Sequence, residues 1–147
     1  MKRPGVIIIL AAVAVVIGAC SVPKQNQIAE APQQPSRSAA RVPAFYAEPP
    51  SASNLAPTLP PEKFTSDARQ VYKAVKEIPQ TIAQLPCYCH CDLSIGHKSL
   101  HSCFEDNHAA TCFICMEEAM TAYRLQKEQN LTPAQIRDRI IAHYSAH

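Results

Sequence analysis

Six cysteines crowd into one stretch, as Pro86-Cys87-Tyr88-Cys89-His90-Cys91, then Cys103, then Cys112-Phe113-Ile114-Cys115. Any fold that contains them must oxidise them, separate them or give them a cation, because neighbouring thiolates repel. Alternate spacing in an extended segment would point Cys87, Cys89 and Cys91 to one side. Cysteines two apart do not bridge one another without strain, so a purely disulfide solution needs three separate partners for this run. Cys112 and Cys115 lie one turn apart where a helix should begin, and a helix N-terminus favours thiolates. His97, His101 and His108 are interleaved with these thiols. His97 and His101, four apart, would share a face if that stretch is helical.

The rest of the chain divides by composition. Lys2 and Arg3 precede an apolar run from Val6 to Ile17, followed by Gly18, Ala19 and Cys20. That order is a secretory signal, with an apolar run short for a membrane-spanning helix. Ile17-Gly18-Ala19-Cys20 looks like a bacterial lipobox. The expectation is therefore a signal peptide over residues 1–19, with Cys20 lipidated as the mature N-terminus. Lipobox lipoproteins carry several acyl chains, which hold a membrane far better than one. Such a protein works outside the cytoplasm at a membrane surface. Ser21 in place of an aspartate leaves an outer-membrane destination open.

Residues 21–62 hold nine prolines and no hydrophobic period. They read as a disordered, Pro-rich tether, so residues 20–62 form the lipidated cysteine and its linker. The folded part is expected over residues 63–147. Thr65 or Ser66 can cap a helix with apolar positions Ala68, Val71, Tyr72, Val75 and Ile78, which Pro79 stops. A second helix starts near Thr111, with Cys112, Cys115, Met116, Ala119, Met120 and Tyr123 on one face. In the third, Thr132 caps, Pro133 takes the first helical position and Gln135 closes a capping box, with Ile136, Ile140, Ile141 and Tyr144 turned inward. The fold class is all-α, a small three- to four-helix domain with a Cys-rich irregular insert at residues 80–110. A core this thin commonly needs a staple.

The Cys-rich segment resembles the PCYCGC-motif bacterial lipoproteins, a largely uncharacterised family in which some relatives use selenocysteine within the motif. The resemblance runs through Pro86 to Cys91, His97-Lys98-Ser99-Leu100, Cys103-Phe104 and His108 to Cys112-Phe113-Ile114-Cys115, and fades near Ile136-Arg137. His90 stands where the family usually has glycine. The resemblance implies an extracytoplasmic, cysteine-dependent role, with metal binding foremost, and leaves the chemistry itself open.

Three readings of the cysteines compete. Soft thiolates select copper(I) and zinc over hard cations, and Met116 beside Cys115 offers a thioether. Six cysteines exceed the four ligands of one zinc, which suits a cluster or a multi-copper site. The expected metal ligands are thus Cys87, Cys89, Cys91, Cys103, Cys112 and Cys115, with His97 and His101 as further ligands or supporting donors. Copper(I) is favoured and zinc next, for metal capture, buffering or delivery to or from a donor or acceptor protein. The second reading is thiol–disulfide exchange at Cys112-x-x-Cys115, although no βαβ pattern of a thioredoxin fold surrounds the pair. The third is a disulfide-stapled module, since six cysteines form an even set in an oxidising compartment. His108 is either a ligand or a polar residue before the second helix, and Met116 and Met120 are core filler as readily as ligands.

Other classes fall away. Of 14 Lys and Arg, the leader takes Lys2 and Arg3, leaving 12 basic against 12 acidic residues. That balance has no electrostatic footprint for nucleic acid. Beyond the leader the only glycine is Gly96, so there is no phosphate-binding loop. No Ser/His/Asp set suggests a hydrolase, and an enzymatic role is not expected.

Overall fold

The computed structural model describes residues 41–146. The expected signal peptide, Cys20 and the earlier part of the expected tether lie outside the described residues, as does His147. The described chain is all-α: α1 Ser66–Glu77, α2 Pro79–Ala83, α3 Cys91–Ser94, α4 Phe113–Gln129 and α5 Pro133–Ser145. Single 3-10 turns add Ala52–Asn54, Pro61–Lys63, Leu100–Phe104 and His108–Thr111. There is no strand among the described residues. Three to four helices were expected. The additional ones, α2 and α3, are only five and four residues long and lie in the stretch that read as irregular.

Thr65 precedes α1 in extended conformation, and Val71, Tyr72, Ala74 and Val75 form its buried face. Tyr72 stacks on Phe64 at 4.0 Å and meets Phe104 edge-on at 5.0 Å. Its hydroxyl donates to the carbonyl of Asp106 at 2.6 Å, which satisfies the one polar atom of a fully buried ring. Pro79 ends α1 and at once opens α2 from the N1 position, where its missing N–H costs nothing. α5 begins as its sequence dictates. Gln135 N–H donates to Thr132 Oγ1 at 3.3 Å, and Thr132 N–H donates back to Gln135 Oε1 at 2.9 Å.

α4 packs against both α1 and α5. Its buried residues are Cys115, Glu118, Ala119, Ala122 and Leu125, whereas Met116, Met120 and Tyr123 are half-buried along the flank. The inward face is therefore rotated by about one position from the one that hydrophobicity selects.

The domain boundary expected at residue 63 moves. Residues 41–62 lie against the helices in place of a free tether. Tyr46 N–H donates to Ala83 O at 3.1 Å, and Leu59 N–H to Phe104 O at 2.9 Å. Pro43 and Pro61 are buried, and Leu59 packs on the core. Asp92 accepts from the Arg41 guanidinium and from Ala44 N–H, the latter at 3.0 Å. A proline-rich segment has little conformational entropy to lose, so a few such anchors suffice to dock it on a core supplied by other residues.

Candidate metal centre

The three closely spaced cysteines converge through a turn. His90 N–H donates to Cys87 O at 2.9 Å, and His90 takes the left-handed conformation, φ 56° and ψ 35°. α3 starts immediately with Cys91, so the backbone folds round on itself and brings three sulfurs together without the extended alternation that the spacing suggested. The left-handed region favours glycine, so histidine is strained at this position.

Around that turn the fold delivers donors from three further elements: Cys103 on the Leu100–Phe104 turn, His108 on the next 3-10 turn, and Cys115 in the first turn of α4. Cys89 Sγ lies 3.0 Å from Cys87 and from Cys91, and 3.4 Å from Cys115. Cys87 Sγ is 3.5 Å from both Cys103 and Cys115. Two imidazoles close on the sulfurs, His108 Nε2 at 3.0 Å from Cys91 and His97 Nδ1 at 3.2 Å from Cys103. Cys87, Cys91, Cys103 and Cys115 are buried, and Cys89 is half-buried.

Two of the expected residues stand elsewhere. Cys112 is the N-cap of α4, half-buried and extended, and it is not among the thiols in mutual contact. Three residues on, Cys115 is helical and turns inward, so the two side chains leave the chain in different directions. His101 is buried on the same 3-10 turn as Cys103, but its Nδ1 sits 3.3 Å from Glu105 Oε1, and it lines a hollow with Lys76, Pro79 and Pro57. Burial lowers its basicity, with Glu105 opposing. Met116 borders another hollow with Asp67, Gln70 and Phe113. His108, which the spacing left undecided, joins the cluster.

Glu118 went unnoticed in the sequence, although it is three residues from Cys115 on a face that also carries Ala119 and Ala122. Its carboxyl is 1% exposed and accepts from Tyr88 N–H at 3.0 Å, which fixes the peptide between Cys87 and Cys89. Burial, then the neighbouring Cys87 sulfur, pushes its pKa up to about 9. Tyr88 itself stacks on Tyr144 of α5 at 4.8 Å.

The thiols differ in acidity by position. Hydrogen bonds from Cys103, Cys115 and Cys87 pull Cys89 far below the ordinary thiol range. Burial, with Cys89 beside it, pushes Cys91 up. A thiolate at the centre, solvated by surrounding S–H groups, is where a cation would first be attracted.

The sulfurs are unbridged. None of the contacts approaches the ~2.04 Å of a disulfide, and all six described cysteines are free thiols. Two sets of four donors, Cys87/Cys89/Cys91/Cys103 and Cys89/Cys103/His108/Cys115, each lie within 4.8 Å of one another. Sulfurs sharing a tetrahedral ion at about 2.3 Å stand about 3.8 Å apart, so the described thiols need only small shifts to enclose one. The donor set, thiols with imidazole, suits soft and borderline cations.

Among known proteins, a family model described as a protein of unknown function with PCYCGC motif matches residues 7–147. No curated protein and no solved structure matches the chain.

Proposed function

The chain belongs to the PCYCGC-motif family, and from that premise we propose that it is a membrane-tethered, extracytoplasmic lipoprotein that binds thiophilic metal. Copper(I) is the favoured ion and zinc(II) the next, and the role is capture, buffering or delivery to a partner protein. One observation supports the reading above all. Five thiols and two imidazoles from separate elements meet at 3.0–3.5 Å in a largely buried cluster with no disulfide. One thiolate among S–H donors is stabilised, but further thiolates beside it repel one another, so several can ionise together only if a cation joins them. The preference for copper(I) rests on the number of thiolates. The membrane tether rests on the Lys2-Arg3 leader and on Ile17-Gly18-Ala19-Cys20.

The test uses the full chain, reduced and oxygen-free in detergent, competed against a chromophoric chelator for copper(I) and, separately, for zinc(II). Metal transfer to the protein is expected, with thiolate-to-metal absorption and release of protons. Cys112→Ser and His101→Gln are expected to bind as tightly as the wild type, because both lie outside the cluster. Transfer no better than to an equal concentration of glutathione thiols would overturn the proposal.

A further inference from the structure

The two donor sets overlap, and the overlap is specific. They share Cys89 and Cys103, and together they comprise Cys87, Cys89, Cys91, Cys103, His108 and Cys115. We infer that the centre is binuclear: one thiophilic cation sits among Cys87, Cys89, Cys91 and Cys103, a second among Cys89, Cys103, His108 and Cys115, and the sulfurs of Cys89 and Cys103 bridge them. The inference rests on the metal-binding reading and specifies what that site holds.

Three observations carry it. A single ion in the first set leaves Cys115, which is fully buried, with its sulfur against the ligands and no cation of its own. A single ion in the second set strands Cys87 and Cys91, which are 3% and 2% exposed. Buried polar groups are normally matched with partners, and only joint occupancy uses all six donors. The shared position of Cys89 is also geometric. Its sulfur touches Cys87 and Cys91 on one side of the partition and Cys115 on the other. Cys103 contacts Cys87 and is backed by His97 Nδ1 at 3.2 Å, a donor that can hold a bridging sulfur in place without occupying a metal position.

Charge favours the same arrangement. Two tetrahedral sites of separate thiolates would place far more negative charge in the core than two sites joined through shared sulfurs. Five thiolates around two zinc(II) ions carry a net charge near −1, and around two copper(I) ions near −3. A thiolate has enough lone pairs to bind two cations at once.

The experiment loads the reduced full chain with zinc(II) in one arm and copper(I) in the other, counts ions by native mass spectrometry, and records X-ray absorption at the metal edge. Two ions per chain are expected in at least one arm, with a metal–metal scattering path in that sample. His108→Ala and Cys91→Ser, each removing a donor private to one ion, are expected to lower the count from two to one. A count of one in both arms overturns the binuclear centre and leaves metal binding intact, and two ions without a metal–metal path overturn the bridging. No ions in either arm overturns the metal-binding reading itself. The wild-type count and spectrum decide the matter even if a variant fails to fold.

Discussion

His90 pays a local conformational penalty at the turn that brings Cys87, Cys89 and Cys91 together. A non-glycine residue there costs about 1–2 kcal/mol in strain, while glycine would cost about 0.4–1 kcal/mol through a freer unfolded chain. His90→Gly is therefore expected to stabilise the domain by about 0.5–1 kcal/mol, read as a higher denaturant midpoint. A lower midpoint would show that the exposed imidazole contributes more than its backbone costs. Glu118 makes a different prediction. With its pKa at about 9 in the fold against an ordinary 4.5, the carboxyl is buried protonated. Its stabilising contribution is complete below about pH 4.5 and declines as pH rises towards 9. The metal-free wild type should lose melting temperature across that window relative to Glu118→Gln, whose amide keeps the acceptor for Tyr88 N–H. Parallel melting curves would mean that the carboxyl is ionised throughout. At this scale the sequence identifies the thiols but not which of them meet. Cys112 and Cys115 look equivalent as letters, and only the change from extended N-cap to helical backbone separates their directions.

α5 is the element most fully written into its own residues, because a capping box, an N1 proline and an apolar stripe are all local signals. Thr132→Ala removes the reciprocal bonds with Gln135 and is expected to cost about 1 kcal/mol, measurable as a fall in melting temperature. The effect should extend to the centre, since Tyr144 of the same helix stacks on Tyr88. An unchanged melting temperature would mean that packing of Ile136 and Ile140 alone sets the helix start. α4 was harder to read. Met116, Met120 and Tyr123 outweigh Ala119 and Ala122 in hydrophobicity, yet they are only half-buried beside α1, and the buried positions include the two small residues and the Glu118 carboxyl. Side-chain size as well as apolar content decides which face of a packed helix is buried. The docked stretch over residues 41–62 carried no periodic signal at all. Its anchors are the carbonyls of Ala83 and Phe104 and the carboxylate of Asp92, all remote in sequence.

At the level of the whole molecule, the centre joins the 87–91 turn to the Leu100–Phe104 turn, the His108–Thr111 turn and α4. A ligand that binds only the folded arrangement stabilises it by mass action, by about 4 kcal/mol when free metal is a thousandfold above Kd. Stripping metal with a chelator is expected to lower the melting temperature by well over 10 °C, on the usual scale of about 4–8 °C per kcal/mol for a domain of this size. A chelator-insensitive melt would mean that Tyr72, Phe104 and their neighbours form a sufficient core alone. The donors are also unequally distributed along the chain. Cys87, Cys89 and Cys91 are close in any conformation, because so few residues separate them, whereas Cys103, His108 and Cys115 reach them only once the chain has closed larger loops. Timing follows from that asymmetry. A still unfolded chain already carries a three-thiol hook, so an ion can be caught first and serve as the point around which the later segments assemble.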